Sequence, residues 1–306
     1  MISRVDFRRD LLIGYTSLHN HTVFCDGKDD VEAMCRSAFE KGLAAIGFSA
    51  HAPIGKTGLK TDWHLPGARL EECFDEVRSA RFRWEGKIAV YLGLELDYIR
   101  GMRSARDEDI AELARSGALD YIIGSAHYIV PSNGPPFNVF TVDGPLDYME
   151  ACMRENLGGD GTAMMHAYWD AVIEMVSLGG FDIVAHLDLV RKHNDKMRWF
   201  DMESAEYLNR ADEAARAIAA AGLVAEVNTG GMNRGFLRET LPSLSILRLL
   251  RQRGVPVMIS ADAHCAADVA GHYEKAREIL RDAGYSSHVT FEGKCAGKPV
   301  WRERPV

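Results

Sequence analysis

Seven short apolar segments rich in β-branched residues alternate along the chain with longer segments of helical period, and this alternation restricts the fold more than any other feature. The short segments are residues 13–18, 44–48, 88–94, 121–124, 182–185, 223–227 and 255–259. Residues 31–41, 69–83, 108–116, 163–177, 202–221, 244–253 and 267–283 carry apolar side chains three and four apart, the repeat of a helix with one buried face. A strand followed by a returning helix, repeated, builds a parallel sheet. Glycines at 42, 222 and 254, and less cleanly at 117 and 180, end helices directly before the next strand, as C-caps do. Two connections, 52–63 and 130–144, are rich in Gly and Pro and too long for simple barrel loops. They read as loops over an active site.

At 306 residues the chain exceeds an average domain, but one α/β barrel takes roughly 200 to over 300 residues. A single domain over 1–306 is therefore expected, with the barrel at about 11–285 and a C-terminal tail at 286–306. No apolar run reaches the roughly 18 residues of a membrane span, so no membrane partner is expected. Met1 to Asp10 carries three arginines without a following apolar stretch and cleavage site, which is no signal peptide; the cytoplasm is the expected location. The six cysteines form no C-x-x-C pair, which suits reduced thiols. A net charge of -8 disfavours a nucleic-acid polymer as partner and leaves room for a local basic pocket.

Eleven histidines are many, and their positions matter more than their number. His19 and His21 follow the first strand, His51 the second, His127 the fourth and His186 the fifth; Asp262 and His264 follow the seventh. Glu95 closes the third strand, and Asp26 sits in the Cys25-Asp26-Gly27 turn past the first. In a parallel barrel the C-terminal strand ends share one face, so these nine side chains converge. Residues i and i+2 of a strand point the same way, so His19 with His21, and Asp262 with His264, each offer two donors to one volume. Imidazole and carboxylate suit Zn, Mn or Fe. Nine ligands exceed one tetrahedral ion and fit two or three divalent ions sharing a carboxylate.

Each residue alone has an ordinary alternative. One H-x-H is commonly coincidence, a single His127 or His186 commonly a core or loop histidine, and Asp26 beside Gly27 commonly a turn residue. The set decides otherwise, since six of the eleven histidines fall at C-terminal strand ends. His166, His193, His272 and His288 do not and take surface or supporting roles, whereas His64, beside Trp63 in the second long loop, is a candidate substrate contact.

At these residues the chain resembles the PHP (polymerase and histidinol phosphatase) superfamily. Its four motif blocks stand as Ser17-Leu18-His19-Asn20-His21-Thr22, Gly47-Phe48-Ser49-Ala50-His51, Ala185-His186-Leu187-Asp188 and Ser260-Ala261-Asp262-Ala263-His264. Residues Gly93-Leu94-Glu95-Leu96-Asp97-Tyr98, Gly124-Ser125-Ala126-His127 and 181–189 also look like the histidinol-phosphate phosphatase branch, so the resemblance covers about 15–290. It implies a distorted (β/α)7 TIM-like barrel. It also implies three ions: one on His19, His21, Glu95 and Asp262, a second on Glu95, His127 and His264, a third on Asp26, His51 and His186, with Glu95 bridging. Asn20, inside the H-x-H, is expected to point away from the metals.

The activity so implied is hydrolysis of a phosphate monoester, L-histidinol phosphate for this branch, by a metal-bridging hydroxide in line with the leaving oxygen. Glu95, Asp262 and His264 are the expected catalytic residues. Arg191, Lys192 and Arg234 are candidates to hold the substrate phosphate, Arg234 because a glycine-rich turn precedes it; for Arg191 and Lys192 the alternative is a solvated loop pair. Asp188 is expected to orient a ligand, the alternative being that it binds the substrate amine. Three other readings compete. A phosphoesterase acting on nucleotides or other small esters would use the same ions. An amidohydrolase would need a bridging lysine after a middle strand, and 124–127 has none. A silent binding module of the same fold would have lost ligands, and all nine positions are filled.

Overall fold

The computed structural model describes residues 14–54, 57, 59, 61–101, 112–113, 116–131 and 139–306. The N-terminal decapeptide, Ile13 of the first expected strand and almost all of the helix expected over 108–116 lie outside the described residues.

All seven expected strands form: β1 (Thr16–Ser17), β2 (Ala45–His51), β3 (Ala89–Asp97), β4 (Tyr121–Ser125), β7 (Ile183–Val184), β8 (Val224–Asn228) and β9 (Val257–Ser260). They pair in parallel in that order. A parallel bridge between Asn20 and Ala263 joins the two outer strands beyond their ends, giving a nearly closed barrel. Between β4 and β7 the chain inserts a two-stranded hairpin, β5 (Tyr128–Ile129) with β6 (Phe140–Thr141). Helices pack around the barrel: α1 (Val31–Glu40), α2 (Leu70–Arg83), α3 (Leu146–Leu157), α4 (Gly161–Leu178), α5 (Ala205–Ala221), α6 (Leu244–Gln252) and α7 (Tyr273–Asp282).

Local signals account for most of these bounds. Asp30 and Ser204 cap α1 and α5 by accepting from Ala33 N and Tyr207 N at 2.8 and 3.2 Å. Gly222 ends α5 at φ 66, a left-handed conformation that costs glycine nothing. Helix α3 escapes the periodicity reading because only Met149 and Met153 are buried on it. Helix α7 starts at Tyr273 rather than 267, since Ala270 and His272 both take φ 58 and interrupt it. The stretch read as a tail folds into an antiparallel hairpin, β10 (Ser287–Cys295) with β11 (Lys298–Pro305).

Strand alternation sorts the barrel into an outer apolar shell and a graded interior. On β3, Val90, Leu92, Leu94 and Leu96 face the helices. The other row runs Tyr91, Gly93, Glu95, Asp97, apolar at the N-terminal end and acidic at the C-terminal end. β4 repeats the pattern with Tyr121, Ile123 and Ser125, and β8 with Val224, Glu226 and Asn228. Tyr121, Ile123, Ile183, Val224 and Met258 fill the lower interior, and Val289 and Phe291 of the C-terminal hairpin pack with them.

Tyr121 is the largest of these plugs. A Cβ at Gly93 would stand 2.6 Å from its ring, and one at Gly47 2.4 Å from its hydroxyl, so the two glycines make its room. The hydroxyl donates to the Leu18 carbonyl. Tyr121→Ala would open a cavity beneath the basin and is expected to cost about 3–5 kcal/mol. The check is the urea midpoint at unchanged m-value; an unshifted midpoint would show that the plug does not stabilise the barrel.

Candidate metal centre

The interior row carries every expected ligand to one end of the barrel. Register sets His51 of β2 beside Glu95 of β3, and Asp97 of β3 beside Ser125 of β4. His19 and His21 flank Asn20, and Asp262 and His264 flank Ala263, the two residues of the closing bridge; the paired projection therefore survives beyond the strand ends. Asp262 takes φ 46, a left-handed conformation that aspartate tolerates better than most residues. Asn20 points away, its amide donating to the Ser17 and Gly47 carbonyls at 2.9 and 2.8 Å.

Glu95, fully buried, is the hub. Its Oε2 lies 3.0 Å from His19 Nε2, 3.0 Å from His51 Nδ1 and 3.5 Å from His21 Nε2. Its Oε1 lies 3.0 Å from His186 Nε2 and 3.5 Å from His127 Nε2, and accepts from the Ser125 hydroxyl. Four overlapping groups have ligand atoms within 4.8 Å of one another: His21, Asp26, His51 and His264; His19, Glu95 and His186; His19, His21 and Asp262; His51, Asp97 and His127.

The donor set fits divalent cations on two observations. His127 donates from Nδ1 to Asp97 Oδ1 at 2.6 Å, a tautomer assigned from that bond, which leaves its Nε2 lone pair 3.1 Å from His186 Nε2 and 3.5 Å from Glu95. Against burial, Asp97 and Glu95 raise the His127 pKa to about 10, so a positive charge belongs between these nitrogens, a proton in the free protein and a cation when one is bound. His21 Nε2, His51 Nδ1 and Asp26 Oδ1 are also buried without a well-aligned hydrogen bond among the described residues, although carboxylates stand within 3.0–3.5 Å of the two histidines, a condition that costs free energy unless a cation binds them.

Charge within the basin is divided unevenly. Burial opposes ionisation of His19, but Glu226, Glu95 and Asp262 outweigh it and hold its pKa well above the ordinary value. Burial, with His264 and His51 beside it, lowers His21 to about 3, so His21 is a neutral donor. Burial disfavours the Glu95 anion as well, yet the surrounding histidines, His19 and His51 foremost, keep its pKa well below the usual carboxylate range.

The grouping differs from the expected partition. His264 Nε2 is 3.0 Å from Asp26 Oδ2, in the group with His21 and His51, where the resemblance paired it with His127. His186 stands with His127 and Glu95, where the resemblance paired it with Asp26 and His51.

Behind the ligands stand two carboxylates that sequence reasoning missed. Glu226 Oε1 accepts from His19 Nδ1 at 2.7 Å, and its Oε2 accepts from the His186 backbone N–H at 2.8 Å. Asp97 holds His127 through Oδ1 and His64 through Oδ2, at 2.6 and 2.7 Å. Partners of this kind fix the tautomer and aim of ligating imidazoles. Both were legible: Asp97 is i+2 from Glu95, and Glu226 is an acid in the middle of an apolar strand. Asp188 does not orient His186. Its Oδ2 lies 2.8 Å from Arg191 Nε and accepts from Ser243 N at 3.3 Å, and burial raises its pKa to about 7.

A cavity of about 610 Å³ opens over the basin, lined by Asp26, Glu95, Asp262 and four of the histidines, and by Trp63, Tyr128, Asp143, Lys192, Arg234 and Phe236 among others. Both long connections contribute, through Leu59, Thr61, Asp62 and Trp63 on one side and Val139, Thr141, Asp143 and Gly144 on the other; the rest of each lies partly outside the described residues. Trp63 stands edge-on to His51 and His127 at ring distances of 4.6 and 5.4 Å.

The expected substrate-binding residues divide. Arg234 and Lys192 line the cavity. Arg234 donates to Asp262 Oδ2 at 3.1 Å and approaches His264 Nδ1 at 2.8 Å. Gly230 before it makes room for Asp262 rather than for a ligand, since a Cβ there would stand 2.8 Å from Oδ2. Arg191 stands apart from them. Only 2% exposed, it turns back to Asp188, Glu239 at 3.2 Å and the Thr240 carbonyl, and is no part of the cavity wall. His64 stands apart as well. It lies behind Trp63, off the wall, bridging Thr61 Oγ1 and Asp97 at 2.7 Å each. His166 pairs with Glu206 at 2.7 Å on the surface, and His288 stacks on Tyr15, both apart from the basin.

Comparison with known proteins agrees with this geometry. The PHP domain matches residues 17–230. The histidinol-phosphatase of Bacillus subtilis is 27% identical over 271 residues, covering 84% of this chain and 96% of its own. The histidinol phosphate phosphatase of Lactococcus lactis, solved with zinc, L-histidinol and phosphate, superposes with a TM-score of 0.68 at 21% identity, over 94% of this chain and 99% of its own. A candidate histidinol phosphatase from Listeria monocytogenes gives a TM-score of 0.75 at 20% identity, over 85% and 99%.

Proposed function

Because the chain belongs to the PHP domain family, we propose that it is a metal-dependent phosphomonoesterase that hydrolyses L-histidinol phosphate to L-histidinol and phosphate, a step of histidine biosynthesis. The observation that carries the reading is the convergence of nine histidine and carboxylate ligands on one end of the barrel, with Glu95 touching both halves of the cluster. His19, His21, Glu95 and Asp262 would hold one ion, Asp26, His51 and His264 a second, and Glu95, His127 and His186 a third, Zn, Mn and Fe being the metals this donor set suits.

Such ions, when bound, neutralise phosphate charge and bring the pKa of water toward neutrality. The chain's own residues do the rest. With ions bound, Glu226 and Asp97 would keep the Nδ1 protons of His19 and His127 in place and leave Nε2 free to face the cations. Arg234 and Lys192 offer cationic donors on the wall to the oxygens of a phosphate. Trp63 excludes water from the side of His51 and His127. The names of the relatives support histidinol phosphate, and a cavity of about 610 Å³ suits a small ester. Among the described residues no helix is long and apolar enough to cross a membrane, and all six cysteines are free, as a cytoplasmic enzyme allows.

The test is metal content of the purified protein together with phosphate release from histidinol phosphate, nucleoside monophosphates and simple alkyl phosphates. Two or three ions per chain and the highest kcat/KM on histidinol phosphate are expected. A fully loaded protein that releases no phosphate from any ester would end the enzymatic reading; preference for a nucleotide would end its substrate half.

A further inference from the structure

We propose that Asp143 determines specificity in this site by binding the ammonium group that an amino-alcohol phosphate carries next to its ester carbon. The inference rests on the phosphomonoesterase reading and extends it to a substrate class. Among the described residues six carboxylates line the cavity. Asp26, Glu95 and Asp262 belong to the metal groups; Asp62 is exposed at the rim, and Asp268 is engaged with Cys265. Asp143 is the one that faces the basin without belonging to a metal group.

Its place is built into the fold. Val142 N donates to the His127 carbonyl at 2.8 Å as the inserted hairpin ends, which puts Asp143 beside a metal-group histidine. On the other side Lys192 Nζ donates to the Asp143 carbonyl at 2.5 Å, and His193 Nε2 to the Gly144 carbonyl at 2.8 Å. The backbone is thus held from both sides, while the carboxylate Oδ2 stands 3.7 Å from Lys192 Nζ, longer than a hydrogen bond. A third of the side chain remains exposed to the cavity. Burial disfavours its charge, but Lys192, His127, His186 and Arg234 together keep it ionised.

Charge balance gives this position its meaning. Lys192 and Arg234 stand on the wall beside the metal ligand groups, which would add the charge of their ions when loaded, so a phosphate would lie at this end of the cavity. A substrate ammonium two carbons from the phosphate oxygen would enter that field and be repelled unless a carboxylate met it there. Asp143 is within electrostatic reach of both wall cations, with Oδ2 3.7 Å from Lys192 Nζ, and so stands beside the groups offered to the phosphate. An uncharged alkyl phosphate gains nothing from it.

The experiment compares metal-loaded wild type, Asp143→Asn and Asp143→Glu on histidinol phosphate and on its deamino analogue. The wild-type preference in kcat/KM for the amine-bearing ester should be about ten- to a hundredfold, the range of a charge-assisted hydrogen bond. It should fall toward unity in Asp143→Asn and be partly kept in Asp143→Glu, which also serves if the asparagine variant does not fold. Equal losses on both esters would mean that Asp143 only positions Lys192, and would overturn the proposal, as would a wild type without preference. If neither ester releases phosphate, the functional reading fails separately. Titration of L-histidinol and its deamino alcohol into the metal-loaded proteins then decides: tighter binding of the amine, lost in Asp143→Asn, supports the assignment, and equal binding overturns it.

Discussion

Glu95→Gln abolishes phosphate release, with a fall in kcat beyond the roughly hundredfold that changing a partner behind a metal ligand costs, while the far-UV spectrum and the cooperativity of unfolding stay those of the parent. The expectation follows from geometry. Among the described residues Glu95 alone places one carboxylate oxygen against His19, His21 and His51, and the other against His127 and His186. Glutamine keeps the volume, so the barrel row from Tyr91 to Asp97 packs as before. It replaces one anionic oxygen by an amide nitrogen that cannot bind a cation and leaves the histidines around it without their central counter-charge. Steady-state phosphate release and metal content, measured on one preparation, check the result. Parent-level turnover in the variant would remove Glu95 from the ligand set.

Chelation removes activity and lowers the melting temperature, and both return on adding Zn²⁺ or Mn²⁺. A ligand present at a hundredfold over its Kd stabilises the folded state by about 2.7 kcal/mol, which for a chain of this size corresponds to a shift of about 4 °C for each ion. The reason for expecting stabilisation is the buried orphan set, His21 Nε2, His51 Nδ1 and Asp26 Oδ1, which only the folded barrel assembles. Differential scanning calorimetry before and after dialysis against a chelator, with phosphate release in parallel, makes the measurement. Full activity in protein stripped of metal would refute the metal-dependent reading outright.

The fold was legible because its signals are local. Short apolar, β-branched runs at β3, β4 and β8 and helical spacing in α1, α5 and α6 are properties of short windows, and each pair of windows repeats the same strand-then-helix instruction. The C-terminal hairpin and helix α3 were not legible for the converse reason. The hairpin acquires its buried side only by packing Val289 and Phe291 into the barrel's lower interior, and α3 buries just two methionines.

For the site, sequence alone determined that His19, His21, Asp26, His51, Glu95, His127, His186, Asp262 and His264 share one end of a parallel barrel, because strand direction puts every C-terminal end on one face. Tertiary structure decided which of them stand together. It set His264 with Asp26 and His186 with His127, turned Arg191 inward to Asp188 while leaving Lys192 on the wall, hid His64 behind Trp63, and brought in Glu226, Asp97 and Asp143. Past the last residue of a strand, side-chain direction depends on turns such as the left-handed one at Asp262 and on partners from other strands, and no local pattern encodes either.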